Sequence, residues 1–223
     1  MITDKNTTID KFFILGVQSQ QKNNLKLAKN YYNQILRINP NHINALNNLG
    51  VLSLNLNKFQ KSKEHFKKVT EINPNHYLAY FNLGIIYQKL NEIQSAIDCY
   101  ENVIKINPSY ADAYNNLASI YIKLGETQKT IICCEKIIEI NPNNVKAQNY
   151  LGLMLNKLDE TQKAKNYFEN VIKIDPNYKD AHYNLGGVFK KLGDNEKSIK
   201  LYEKAIEIDP NHIKAYNNLG VIF

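Results

Sequence analysis

Pro40, Pro74, Pro108, Pro142, Pro176 and Pro210 are all the prolines in this chain, and each lies 34 residues after the last. Each follows Asn or Asp, and Ile stands two residues before it. Proline lacks the N–H a helix needs and disfavours helical geometry in the residue before it, so every one of these sites ends a helix. A fixed period of this length marks a stacked array of helical hairpins in which each unit packs on its neighbours. Arrays of that kind act as binding surfaces rather than reaction centres.

Written in rows of 34, the chain runs 9–42, 43–76, 77–110, 111–144, 145–178 and 179–212, with an incomplete row at 213–223. Residues 1–8 read as a short disordered lead-in, with Thr7 or Thr8 as a first cap. One column is always Leu (Leu15, Leu49, Leu83, Leu117, Leu151, Leu185, Leu219), and the next is always small (Gly16, Gly50, Gly84, Ala118, Gly152, Gly186, Gly220). Twelve residues on, Ala28, Ser62, Ala96, Thr130, Ala164 and Ser198 form a second small column. Two small columns facing each other let two helices approach closely, where bulk would overpack the contact.

Each row carries its own punctuation. Asn41, Asn75, Ser109, Asn143, Asn177 and Asn211 follow the prolines and are residue types that cap helix N-termini. An apolar stripe at helical spacing then runs to Asn23, Asn57, Asn91, Gly125, Asp159 or Gly193, types that tolerate the left-handed conformation ending a helix. A second stripe leads to the next Asn/Asp-Pro pair. Each row is therefore helix, turn, helix.

This pattern resembles the tetratricopeptide repeat. The stretch ADAYNNLASIYIKLGETQKTIICCEKIIEINPNN carries that family's small, aromatic, Leu, Gly/Ala and Pro positions in order, and the likeness covers residues 9–223. The resemblance implies an all-α fold: a right-handed α-solenoid of antiparallel helix hairpins, with the first helix of each pair lining a concave groove.

Charge and composition narrow the function classes. Residues 1–70 hold eleven Lys/Arg against three Asp/Glu, while residues 71–223 hold seventeen against eighteen. Lys58, Lys61, Lys63, Lys67 and Lys68 form the densest run. It reads as a solvated helix face, because Arg37 is the only arginine and no aromatic residues interleave regularly with it, so nucleic acid is not expected as a partner. No apolar run approaches the ~18 residues of a membrane span. Cys99, Cys133 and Cys134 fall in packing columns without a spaced framework, which points to a reducing, cytoplasmic setting. His42, His76 and His212 share a column with Tyr110, Asn144 and Tyr178, a poor basis for a metal site. His182 replaces Tyr80, Tyr114 and Tyr216 and reads as a packing residue. Neither a metal nor a cofactor is expected, and no catalytic motif stands out.

What remains is the groove. The resemblance places Asn48, Asn82, Asn116, Asn184 and Asn218 on it, a ladder interrupted by Ile14 and Tyr150 and similar to that of O-linked N-acetylglucosamine transferase repeats. An Asn carries donor and acceptor together, matching the amides of an extended peptide. Phe81 and Tyr183 stand in the neighbouring column. Lys89, Lys123, Lys157 and Lys191 recur as a basic edge suited to an acidic ligand and to the negative end of each first helix. The expected function is a protein–protein interaction scaffold that is not itself an enzyme. The alternative is the substrate-recruiting arm of a larger enzyme, such as a glycosyltransferase, with its catalytic domain beyond residue 223. The C-terminal helix, including Phe223, lacks a capping partner and is expected to offer a self-association surface.

Overall fold

The structure, a computed structural model, describes residues 2–222, and side chains from Lys5 to Ile222. Its elements are helices: α1 Ile2–Gln21, α2 Leu25–Ile38, α3 Ile43–Asn55, α4 Phe59–Ile72, α5 Tyr77–Lys89, α6 Ile93–Ile106 and α7 Ala111–Leu124, followed by α8 Thr127–Ile140, α9 Val145–Lys157, α10 Thr161–Ile174, α11 Lys179–Lys191, α12 Asn195–Ile208 and α13 Ile213–Gly220. The chain divides into two compact units, Met1–Ala113 and Tyr114–Phe223. In the first unit α1 pairs with α2, α3 with α4 and α5 with α6; in the second α9 pairs with α10 and α11 with α12. Successive pairs also touch: α3 meets α5, and α9 meets α11.

The helix boundaries follow the punctuation with two corrections. The expected lead-in at 1–8 is helical from Ile2, so Thr7 and Thr8 lie inside α1 rather than at its start. Neither Gly nor Pro interrupts residues 2–15, and Ile9 is buried in a cluster with Tyr32 and Leu49, with Phe12 and Phe13 packed against it. That packing gives the first turns something to hold. Phe223 lies outside the described residues.

The second correction moves the N-caps by one residue. The caps are His42, His76, Asn144 and His212, whose side chains accept the N–H of Ala45, Ala79, Ala147 and Ala215 at 2.9–3.2 Å. The residue just after each proline instead closes a tight Asx turn. The side chains of Asn39, Asn73, Asn107, Asn141, Asp175 and Asp209 accept the backbone N–H of Asn41, Asn75, Ser109, Asn143, Asn177 and Asn211. The Asn/Asp before proline thus ends one helix in extended geometry and starts the turn into the next. Mid-repeat, Asn23, Asn57, Asn91 and Asp159 adopt φ of 55–62°, and Gly125 and Gly193 adopt 75° and 81°, as the left-handed stop requires.

Packing inside each hairpin turns on the small column. A methyl group added at Gly16, Gly50, Gly84, Gly152 or Gly186 would lie 2.5–2.8 Å from a ring atom of Tyr32, Phe66, Tyr100, Phe168 or Tyr202 respectively. Those rings are fully buried. The second small column faces the first: Ser62 Oγ donates to the Gly50 carbonyl at 2.7 Å, and Ser198 Oγ to the Gly186 carbonyl at 2.8 Å. The row 111–144 obeys the same rule in reverse. It has Ala118 where the others have Gly, and Cys134 where the others have a ring. The added methyl is accommodated because the ring is gone.

Two predictions follow from this core. Gly84→Ala should destabilise the protein by about 1 kcal/mol, an overpacking cost of about 2 less a helix-propensity gain of about 1. In a Tyr100→Cys background the same change should be neutral or stabilising, and urea unfolding of the four proteins reads the coupling directly; additive effects would refute the account. The second concerns alkali. Burial pushes the Cys99 and Cys134 thiols up to about 12 from an ordinary value near 9. Their contribution to stability is complete below about pH 9, where the unfolded thiols also keep their protons, and it is lost as pH rises toward about 12. Thermal unfolding measured from pH 8 upward should show a falling midpoint, with a shallower fall in Cys99→Ala/Cys134→Ala.

Candidate functional site

The first helix of each hairpin carries two adjacent columns on one face. Asn48 lies on α3, Asn82 on α5, Asn116 on α7, Asn184 on α11 and Asn218 on α13, all half-buried. One residue earlier stand Phe13, Phe81 and Tyr183, each held between two rings. In the first unit Phe81 lies 5.8 Å from the Tyr100 ring and 5.1 Å, edge-on, from Tyr110, which in turn meets Tyr77 at 5.3 Å. Phe13 lies 6.1 Å from Tyr32 and 5.8 Å from His42. In the second unit Tyr183 lies 5.7 Å from Tyr202 and 4.9 Å from His212. Each such ring therefore sits between the core ring of its own hairpin and the residue at the start of the next first helix. Such pairs contribute about 0.5–1.5 kcal/mol each and fix the ring orientation.

The asparagines are not equivalent. Asn184 Nδ2 donates to Asn149 Oδ1 at 3.0 Å, and Asn218 Nδ2 donates to the hydroxyls of Tyr183 at 3.1 Å and Tyr202 at 3.3 Å. Asn48 hydrogen-bonds the Tyr32 hydroxyl, which also donates to Gln20 Oε1 at 3.1 Å. These three amides tie one layer of their unit to another and keep mainly an acceptor free. Asn82 and Asn116 carry no side-chain hydrogen bond among the described residues and keep both donor and acceptor. Asn149 is 3% exposed and serves as a partner for Asn184 rather than as a contact surface. Asn47 Oδ1 is buried without a partner among the described residues.

The lysine column follows the same division. Lys89, Lys123, Lys157 and Lys191 are exposed near the ends of α5, α7, α9 and α11. Each lies seven residues beyond the asparagine column, on the same helix face and about 10 Å further along. Lys157 Nζ donates to Thr127 Oγ1 at 3.0 Å, and Lys191 pairs with Asp159, both at the turn of the preceding hairpin. Lys191 accordingly holds the Asp159 carboxyl below its usual range. Lys89 and Lys123 have no such partner among the described residues. Free amide and free ammonium therefore coincide on α5 and on α7, and on neither α9 nor α11.

Sequence reasoning missed the role of His42, His76 and His212. The signal was present: a column holding His or Asn immediately before a helix is a capping column, displaced by one residue from the expected one. His182 is a packing residue as expected; its Nε2 lies 2.9 Å from the Pro176 carbonyl. Gln148 occupies the same column and donates to the Pro142 carbonyl at 2.5 Å. No group of three or more His, Cys, Asp or Glu residues is arranged to hold a metal among the described residues. Nor is any described helix long and apolar enough to cross a membrane.

Hairpins of two antiparallel helices, repeated every 34 residues and joined by Asx-Pro turns, define a helical-repeat protein. Tetratricopeptide repeat models match residues 43–76, 77–110, 111–144, 133–166 and 13–42, and a TPR repeat model matches 186–223. The chain belongs to the tetratricopeptide repeat family. No curated protein sequence matches it. Among solved structures it is similar to YrrB, described as a TPR protein with an unusual peptide-binding site, at 22% identity and TM-score 0.75 over 84% of this chain and 96% of that one. It is similar to MamA at 24% identity and TM-score 0.68, over 77% of this chain and 94% of that one. It also resembles pilF of Pseudomonas aeruginosa at 15% identity and TM-score 0.72, over 98% and 99%.

The cap assignment is open to test. His76→Ala should lower stability by about 1 kcal/mol, whereas His76→Asn, which recreates the cap seen at Asn144, should restore most of it. Equal losses in both variants on urea unfolding would show that the ring's packing matters and its Nδ1 does not.

Proposed function

We propose that this protein is a non-enzymatic scaffold that holds an extended segment of another protein against the first-helix face of its repeats. The reading is carried by one observation: Asn82 on α5 and Asn116 on α7 keep uncommitted amides, each with an unpaired lysine two turns along the same helix. On α5 the adjacent Phe81 ring is fixed by Tyr100 and Tyr110 and supplies a rigid apolar wall. An amide that both donates and accepts meets the N–H and C=O of a peptide unit whatever its side chain. The lysine then favours a carboxylate about 10 Å away, some three residues along an extended strand. The peptide-binding site described for YrrB, a structural neighbour over most of this chain, supports the same class of ligand.

The ligand expected is an extended, acidic peptide segment. Selection of displayed peptides on the purified protein, followed by calorimetric titration, tests this. Asn82→Ala and Asn116→Ala should each weaken binding about 3- to 10-fold, the worth of one hydrogen bond, without loss of stability. Asn184→Ala and Asn218→Ala should instead lower stability, because their amides bind the protein itself. Selected peptides that bind Asn82→Ala and Asn116→Ala as tightly as the parent protein would sink the proposal.

A further inference from the structure

A second charged surface lies away from that face, on the second helices of the first two hairpins. Lys26 and Lys29 on α2 and Lys58 and Lys61 beside and on α4 are exposed, and Lys68 is half-exposed. Three of them lie around one side chain: burial depresses the proton affinity of the half-buried His65, Glu64 opposes it, and Lys29, Lys61 and Lys68 depress it further. Glu64 accepts from Gln60 Nε2 at 3.5 Å. None of the five lysines has a carboxylate at ion-pairing distance among the described residues. Several lysines of the second unit are neutralised locally. Lys129, Lys136, Lys163, Lys165, Lys197, Lys200 and Lys204 in the second unit each pair with a glutamate or aspartate on their own helix or at its cap.

The repeat itself shows that this surface departs from the rule. The residue at the start of the second helix is Glu92, Glu126, Glu160 and Asp194 in the third to sixth hairpins, the sign a helix N-terminus favours. In the second hairpin it is Lys58, with no side-chain cap bond. One hairpin on, the equivalent positions form the Lys63–Glu92 pair at 3.2 Å. The positions 34 residues earlier are Lys29 and Lys58, so two like charges occupy the places of that ion pair. A local arrangement that raises the energy of the free protein and recurs nowhere else in the array is what a surface completed by an anionic partner looks like. Beside it, α2 bears an open depression of about 510 Å³ lined by Asn24, Lys26, Leu27, Lys29, Asn30 and Asn33.

We infer that the outer face of α2 and α4 is a second docking surface, for a carboxylate-rich segment of a partner protein. Three asparagines beside the lysines match peptide amides, and Leu27 offers an apolar contact. Nucleic acid fits less well. The cations are lysines, which lack the guanidinium fork for phosphate, and the Tyr31 ring is stacked on Phe12 at 6.0 Å rather than open to a base. An anionic membrane fits less well too, because the exposed apolar side chains nearest the lysines in the chain, Leu27 at 38% and Leu56 at 46%, are not the aromatic types that anchor at a membrane interface.

The test uses a fluorescein-labelled glutamate-rich peptide with interspersed leucines, its glutamine counterpart, a single-stranded oligodeoxynucleotide and phosphatidylserine vesicles. Binding is read by anisotropy for the soluble probes and by co-sedimentation for the vesicles. The acidic peptide should bind, weaken with salt, and lose at least about tenfold in affinity in K29E/K58E/K61E/K68E. A control of equal charge change, K129E/K163E/K197E/K200E, should bind as the parent does, which separates a local surface from the overall charge of the protein. The milder K29Q/K58Q/K61Q/K68Q set, checked for helicity by circular dichroism, should show an intermediate loss. Equal losses in patch and control variants, no binding of the acidic peptide, or tighter binding of the oligonucleotide or vesicles would overturn the inference.

Discussion

Five of the six complete hairpins depend on one contact: a buried aromatic ring packed against a backbone position that carries no side chain. At Gly84 even a methyl group would come within 2.5 Å of the Tyr100 ring. The contact sets how closely the two helices approach, and that spacing lets Ser62 and Ser198 reach the carbonyls of Gly50 and Gly186. Because close-packed interiors tolerate neither gaps nor overlap, ring and glycine must change together. The hairpin with Ala118 and Cys134 is that joint change made within a single chain.

The junction between hairpins is the second recurring device, and it links architecture to the candidate site. One Asn or Asp ends the outgoing helix, bonds across the proline, and delivers the chain to a capping residue. At His42 and His212 that residue does two things at once. Its Nδ1 closes the helix N-terminus, and its ring packs on Phe13 or Tyr183 of the preceding first helix. The face that bears the asparagines is thus built from the same residues that join the repeats.

Within that common frame, individual repeats have diverged in what their polar groups are bonded to. Asn184 and Asn218 hold one layer to another, while Asn82 and Asn116 do not. Lys191 and Lys157 are engaged at neighbouring turns, while Lys89 and Lys123 are not. Charge has diverged too: Lys163 and Lys200 of the second unit are matched by acids on adjacent helical turns, and Lys29, Lys61 and Lys68 near His65 are not.

The sequence by itself determined the period, the helix–turn–helix repeat, the left-handed stops at Asn23, Asn57, Asn91, Gly125, Asp159 and Gly193, and the two facing small columns. All of these are local or strictly periodic, so the 34-residue spacing writes them out repeatedly and one row corroborates the next. Helix caps were legible to within one residue, because Asn41 and His42 are both competent acceptors and only the path of the chain through the Asx turn decides which one meets the free N–H. The start of α1 at Ile2 was not legible, since its early turns are held by packing of Ile9, Phe12 and Phe13 against α2 and α3. Tertiary structure alone decided which asparagines and lysines are free. Their competitors lie far off in sequence, 35 residues in the Asn184–Asn149 bond and 32 in the Lys191–Asp159 pair. A hydrogen bond forms only where two groups come within about 3 Å, a distance that a repeat pattern shared by every row does not resolve.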